Sequence, residues 1–186
     1  ELIERLHTLS EAQFDGGQQD GGQHDGGQDR KGWRSVSTAR AVRETAATGE
    51  VAVVYSIENG RSLAREGAVD RAAALGVRLV TLTLGASHEW CDASSDSARH
   101  GGLSTDGRRV VAEMERFGIL PDVAHVSEAA AFDTLDVARG PVIASHCSAA
   151  ALCPHPGFLS DALAVGIASS GGVVMGNSHP AMLDPE

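Results

Sequence analysis

The sequence predicts an α/β fold with a parallel sheet, because five short apolar runs alternate with segments of helical character. Each run is continuous and aliphatic, which is typical of strands that are covered on both faces. The predicted strands lie at residues 51–57, 77–84, 119–125, 141–146 and 173–176. Aromatic residues make up only 4% of the chain, so the core must be mostly aliphatic. Right-handed crossovers could close such strands into part of a barrel or leave an open sheet.

The first 32 residues differ in character from the rest of the chain. Residues 1–14 predict a helix, because Leu2, Leu6 and Leu9 lie with other apolar residues roughly on one stripe. Residues 15–32 contain a five-residue repeat built on Asp-Gly-Gly-Gln. Such sequence loses much entropy on ordering and buries little, so it predicts a flexible loop. A weak calcium site is the alternative, although the ligand spacing fits no EF-hand loop.

Residues 33–186 form the third predicted unit, in which turn and capping residues mark the helix ends. Ser37-Thr38 begins the first helix and Gly49 ends it, and Ser104 begins the third. A long polar loop is predicted at 85–102. The predicted helices lie at residues 39–48, 62–75, 104–117, 128–138 and 162–169.

Charge and hydropathy exclude several classes of protein. The net charge of −10 argues against nucleic acid or an anionic membrane as the main partner. No apolar run reaches the roughly 18 residues of a membrane span, and the charged N-terminus does not resemble a signal peptide. The three cysteines are an odd count without paired metal spacing: Cys91, Cys147 and Cys153. They predict reduced thiols and a cytoplasmic location.

Three residues at the ends of predicted strands are candidate metal ligands. Glu58 follows the first strand, and His125 and His146 end the third and fourth. Because the carboxyl ends of parallel strands meet at one edge, we expect these side chains to lie close together. A carboxylate and two imidazoles suit zinc or another divalent transition metal. The alternative for each residue is a cap or a loop contact. The remaining histidines are expected to be solvated: His7, His24, His88, His100, His155 and His179.

Several longer motifs resemble the membrane dipeptidase (renal dipeptidase) family of zinc metallopeptidases. The main one spans residues 102–156 and reads GLSTDGRRVVAEMERFGILPDVAHVSEAAAFDTLDVARGPVIASHCSAAALCPHP. YSIENG and ALGVRLVTLT precede it, and GGVVMGN follows it, so the resemblance covers residues 37–180. It implies a partial (β/α)8 TIM-like barrel of the metal-dependent hydrolase type. It also implies two zinc ions and a dipeptide substrate whose amide bond is cleaved through metal-activated water.

The resemblance assigns roles to the three candidate ligands. Glu58 matches the glutamate that bridges the two zinc ions of the family. His125 in DVAHVS and His146 in ASHCS match the histidines of one zinc ion. The other zinc ion of the family is held by a His-x-Asp pair, and the sequence contains no such pair. The catalytic aspartate of the family lies beyond the matched residues, so no catalytic residue is assigned.

Three substrate-binding positions of the family carry different residues here. The substrate-binding histidine falls on Leu84, the carboxylate-binding arginine on Gly157 and a tyrosine on His179. His88 is a candidate replacement for the missing histidine. A leucine donates no hydrogen bond to an oxyanion, and a glycine does not hold a carboxylate as an arginine does. The resemblance therefore implies a dipeptidase-like pocket with altered substrate contacts.

Three functions remain open from the sequence. The first is a zinc-dependent dipeptidase, and the second is a non-catalytic, truncated or degenerate dipeptidase-like domain that binds at most one metal ion. The third is an amidohydrolase with a different substrate. Strands of an incomplete barrel leave unpaired edges, so we also expect the isolated chain to associate, with a homo-oligomer as one outcome.

Overall fold

The computed structural model describes residues 32–153, 155 and 157–178 of the 186 residues. The helix predicted at 1–14 and residues 15–31 of the predicted loop lie outside the described residues. So do His7, His24 and His179.

The described strands are short, and every pair of them is parallel. They are β1 (Trp33–Ser35), β2 (Val51–Val53), β3 (Tyr55–Glu58), β4 (Val77–Thr81), β5 (Leu120–Asp122), β6 (Ala144–Cys147) and β7 (Val174–Gly176). β1 pairs with β2, β3 and β5 flank β4, and β6 pairs with β7. Ile143, which directly precedes β6, links the β6–β7 pair to the β3–β4–β5 sheet. Its N–H donates to the carbonyl of Pro121, and its carbonyl accepts from the N–H of Val123. The predicted α/β class with parallel strands is confirmed.

Helices connect these strands, and four of the five lie close to their predicted positions. They are α1 (Ala39–Thr48), α2 (Ala68–Ala74), α3 (Thr105–Arg116), α4 (Glu128–Val137) and α5 (Asp161–Ser169). Four of them begin at a hydroxyl side chain that accepts a hydrogen bond from a backbone N–H of the first turn. The capping residues are Thr38, Ser104, Ser127 and Ser160. Gly49 ends α1 at a φ of 79°, as its position in the sequence predicts.

The predicted buried strand at residues 51–57 is wrong in two respects. It is divided into β2 and β3, which belong to different sheets. Its first half is also largely exposed: Val51 is 59% exposed and Val54 is 45% exposed. The reason is the position of β2, which pairs with β1, and all three residues of β1 are themselves exposed. β1 was not predicted. A continuous apolar run does not distinguish one covered strand from two partly exposed ones.

The predicted helix at residues 62–75 is also divided. A 3₁₀-helix at Gly60–Ala64 precedes α2, and Gly67 separates them with a φ of 69°. This left-handed conformation favours glycine and interrupts a helix. Gly76 follows α2 with a φ of 85°, a conformation that also favours glycine.

The core lies between the β3–β4–β5 sheet and the helices packed on it. Its largest fully buried side chains include Leu63, Leu82, Trp90, Met114 and Ile119. Trp90 belongs to the predicted polar loop at 85–102, which is therefore packed against the core. Its indole N–H donates to the carbonyl of Arg61 at 3.1 Å.

A buried carboxylate organises this loop. Asp92 has no exposed surface and accepts hydrogen bonds from the backbone N–H groups of Arg99, His100 and Gly102 at 2.9–3.2 Å. Burial alone would raise the pKa of Asp92, but these donors outweigh it, so the pKa lies below its usual value. The carbonyl of Asp92 also accepts the N–H of Ser127, which ties the loop to the start of α4.

Asp92→Asn is expected to lower the free energy of unfolding by about 2–3 kcal/mol, because an amide nitrogen would face N–H donors that now bond a charged oxygen. Denaturant unfolding measures this difference in the free energy of unfolding. Asp106→Asn is the control, since the Asp106 side chain is 69% exposed, and it should change stability by less than about 0.5 kcal/mol. Equal effects of the two substitutions would contradict the anchoring role of Asp92.

The effect of Asp92→Asn should depend on pH. The folded-state pKa of Asp92 is depressed, so its stabilisation is complete above the unfolded-chain value of about 3.9. It is lost as the pH falls through the folded-state pKa. The difference in stability between the protein and Asp92→Asn should therefore shrink at low pH, and a difference that grows would refute the assignment.

Candidate metal centre

The three candidate ligands reach one edge of the parallel strands from different elements. Glu58 is the last residue of β3, and His146 lies in β6. His125 lies in the turn that follows β5 and precedes α4. Parallel strands point their carboxyl ends the same way, so these side chains meet above the sheet.

The donor atoms of the three side chains converge. The two Nε2 atoms of His125 and His146 are 2.7 Å apart. Glu58 Oε1 lies 3.4 Å from His125 Nε2 and 3.8 Å from His146 Nε2. One ligand atom from each residue falls within 4.8 Å of the others. The side chain of Glu58 is 51% exposed, that of His125 30% and that of His146 33%. The cluster is therefore open to small molecules.

Two unusual backbone conformations lie at this cluster. Among the described residues, Asn59 and His125 are the non-glycine residues with positive φ, at 79° and 66°. Such conformations cost about 1–3 kcal/mol and persist where the surroundings fix them. The His125 carbonyl is fixed by two hydrogen bonds of 2.9 Å, from Thr83 Oγ1 and from the N–H of Ser94. The turn directs the imidazole of His125 to the cluster instead of continuing the strand.

A buried carboxylate behind the cluster was missed by the sequence analysis. Asp122 in β5 is fully buried, and its Oδ2 accepts from Thr81 Oγ1 at 2.6 Å and from Ser145 Oγ at 2.5 Å. Ser145 Oγ lies 2.7 Å from His146 Nδ1. The available signal was the single charge inside the apolar run at 119–125, because a buried charge requires partners.

A cleft of about 180 Å³ opens beside the two histidines. It is lined by Ser94, Ser95, His125, His146, Cys147, His155, Gly157 and Phe158. Gly157 leaves little spare room, since a Cβ there would lie 3.0 Å from Ser94 Oγ. Leu84 is 43% exposed and is not among the lining residues.

The prediction that His88 is solvated is wrong. Its side chain is buried, with Nε2 3.0 Å from the carbonyl of Leu82 and Nδ1 3.5 Å from the N–H of Trp90. Burial lowers the pKa of His88 and favours the neutral ring. With both ring nitrogens engaged in the core, His88 does not replace a substrate-binding histidine. His100 and His155 are exposed, as predicted, although the His155 ring packs 4.8 Å from that of Phe158.

These features define a class of protein. Parallel strands joined by helices, with two imidazoles and a carboxylate at their carboxyl ends, are typical of α/β proteins that bind a transition metal for hydrolysis. Within the described residues, no helix is both long and apolar enough to cross a bilayer.

Comparison with known families places the chain within this class. The family described as membrane dipeptidase (peptidase family M19) matches residues 27–186. The chain belongs to this family of metallopeptidases, which confirms the resemblance found in the sequence.

Two curated relatives illustrate the similarity. Dipeptidase aclJ of Aspergillus oryzae is 42% identical over 107 residues, which are 57% of this chain and 25% of that protein. Dipeptidase 3 of Mus musculus is 34% identical over 134 residues, which are 69% of this chain and 27% of that protein. The chain thus spans about a quarter of the length of these relatives.

Solved structures agree with the fold. The probable dipeptidase PvdM of Pseudomonas aeruginosa has a TM-score of 0.77 and 30% identity, and the match covers 84% of this chain and 41% of that one. A metallo peptidase of Rhodobacter sphaeroides, liganded with a phosphinate mimic of the dipeptide L-Ala-D-Ala, has a TM-score of 0.75 and 26% identity. That match covers 83% of this chain and 46% of the other.

The donor set fits a zinc ion. Zinc binds imidazole nitrogen at about 2.0–2.1 Å, so two ligands of one tetrahedral ion lie roughly 3.3 Å apart. The two Nε2 atoms, at 2.7 Å, need to separate by about 0.6 Å to reach this spacing. Since both imidazoles are partly exposed, the rings have room for this shift.

Thr83→Val is expected to lower the free energy of unfolding by about 1 kcal/mol and to alter the NMR signals of the His125 ring, because it removes the hydroxyl that fixes the His125 carbonyl. Thr134→Val is the matched control. Thr134 is also fully buried and donates to a backbone carbonyl, that of Ala130, away from the cluster. The control should lose similar stability and leave the His125 signals unchanged. Unchanged signals in Thr83→Val would contradict the assigned role.

Proposed function

We propose that the protein is a zinc-dependent hydrolase that cleaves the amide bond of small dipeptides. The observation that carries the proposal is the convergence of Glu58, His125 and His146 within 4.8 Å, in a chain of the membrane dipeptidase family. The similarity to the metallo peptidase liganded with a mimic of L-Ala-D-Ala supports the substrate class.

The chain supplies three groups to the metal. His125 and His146 would hold one zinc ion through their Nε2 atoms. Glu58 would contribute a carboxylate oxygen, and its exposed side chain leaves the second oxygen open to another ion. When bound, zinc supplies Lewis acidity that polarises a carbonyl and activates a water. The strained turn at His125 sets the position of one imidazole before any ion arrives.

The cleft beside the histidines would hold the substrate. Its volume of about 180 Å³ suits small side chains rather than a long peptide. Ser94 and Ser95 line it, and the Ser95 hydroxyl, which donates to the carbonyl of Gly85, can still accept from an amide N–H of a substrate. Gly157 presents no charge, so a substrate carboxylate would find no guanidinium at this position.

The strand order supports a partial (β/α)8 barrel as the scaffold. β3, β4 and β5 are neighbours in chain order, and the Ile143 link continues that order towards β6 and β7. Helices connect successive strands, as in a barrel. The homo-oligomer, the cytoplasmic location and the division at residues 14 and 32 stay predictions.

A non-catalytic domain that binds one metal ion is the second candidate function. It is favoured by the number of ligands, because among the described residues one group of three side chains is placed to hold an ion. Three ligands are enough for a single zinc ion, whereas the family resemblance implies two ions. This candidate and the hydrolase share the same metal cluster and differ in turnover.

Metal analysis and a dipeptide assay on the same preparation test these proposals. The protein should bind zinc and release alanine from Ala-Ala dipeptides. Tight binding of one ion without turnover would favour the non-catalytic domain. Failure to bind zinc at all would refute both candidates.

His146→Ala should weaken zinc binding by more than about 100-fold, because loss of an outer partner of a ligand alone costs roughly 10–100-fold. Competition with a chromogenic chelator measures the affinity. His100→Ala is the control, since His100 is exposed and lies outside the cluster. The control should bind zinc like the unaltered protein. Equal affinity of His146→Ala and the control would exclude His146 as a ligand.

A further inference from the structure

Asp122 accepts four hydrogen bonds, two at each carboxylate oxygen. Its Oδ1 accepts the N–H groups of Ala124 at 3.1 Å and Ser145 at 2.9 Å. Its Oδ2 accepts the hydroxyls of Thr81 at 2.6 Å and Ser145 at 2.5 Å. Asp122 is fully buried, and all four partner groups donate to its two oxygens, which therefore act as acceptors.

The direction of each hydrogen bond follows from this. Ser145 carries one hydroxyl proton and donates it to Asp122. Its oxygen therefore accepts from the other neighbour, which is His146 Nδ1 at 2.7 Å. His146 then has its proton on Nδ1, and its Nε2 presents a lone pair to the cluster.

We propose that Asp122 and Ser145 are positioning residues that fix the tautomer and the ring orientation of His146, so that its Nε2 lone pair points at the metal position. The inference rests on the proposed function, in which the cluster holds zinc. Neither residue touches the ion or the substrate. Carboxylates and hydroxyls that bind the second nitrogen of a ligating histidine orient the ring and raise its basicity.

The side chains of Thr81, Asp122, Ser145 and His146 form a hydrogen-bonded relay. The position of this relay in the fold explains why it is rigid. Thr81, Asp122 and Ser145 lie in β4, β5 and β6, so the relay crosses three adjacent segments of the parallel strands. Ser145 is bonded to Asp122 through both its N–H and its hydroxyl, which removes the rotamer freedom of the serine. The His146 ring is therefore oriented by the sheet itself and not by a loop.

Ser145→Ala tests the relay, with Thr81→Val as a matched control. Each substitution removes one hydroxyl donor from the same oxygen of Asp122, and only Ser145 also contacts His146. Both substitutions should lower the free energy of unfolding by similar amounts. Zinc affinity, measured by chelator competition, should fall about 10–100-fold in Ser145→Ala and stay within about twofold in Thr81→Val. Ser145→Thr keeps a hydroxyl and should restore most of the affinity.

Equal zinc affinity in Ser145→Ala and Thr81→Val would overturn the inference and leave the zinc site of the proposed function intact. Absence of zinc binding in the unaltered protein would instead refute the proposed function. The two failures are thus distinguishable.

Nitrogen-15 NMR of the metal-free protein tests the relay without any variant. The unaltered protein should show His146 in the Nδ1–H tautomer, with Nε2 as the bare nitrogen. In Ser145→Ala the Nδ1–H form should lose its dominance. An Nε2–H tautomer of His146 in the unaltered protein would overturn the inference, whatever the variants bind.

Discussion

The buried charge of Asp122 is the constraint on which the carboxyl edge of the strands depends. A carboxylate without water is costly unless its oxygens are fully hydrogen-bonded. Here the donors come from β4, from the turn after β5 and from β6, namely Thr81, Ala124 and Ser145. Satisfying the charge therefore holds these elements in one register. The same register brings His146 towards Glu58 and His125, so stability and site geometry have a common origin.

The candidate centre combines this rigid part with a strained and partly open one. His146 is held by the strands, whereas His125 depends on a left-handed turn whose carbonyl is fixed by Thr83 and Ser94. Glu58 is the most exposed of the three ligands. Such an arrangement fixes the positions of the two imidazole rings and leaves the carboxylate and the adjoining cleft accessible. An open side is what a catalytic zinc site requires, while a structural site is closed.

Local features of the sequence predict most of the fold. Thr38 and Gly49 bound α1 because capping and left-handed glycine are local chemistry, and the alternation of strands and helices gives the parallel class. The division of residues 51–57 between two sheets was not predictable, since burial depends on which strands pair. The positive φ of His125 is likewise accompanied by a distant contact, that of its carbonyl with Thr83, and the burial of His88 depends on how its loop packs against the core.

Membership of the membrane dipeptidase family and the convergence of three ligands support the same centre by independent routes. Leu84 and Gly157, at which the resemblance implies substrate contacts, lie outside the group of three candidate ligands. The most direct test of the account is an anomalous difference map, measured at the zinc absorption edge from crystals grown with zinc. The account predicts a peak within about 2.0–2.1 Å of the Nε2 atoms of both His125 and His146. A map with no peak between these two atoms would contradict it.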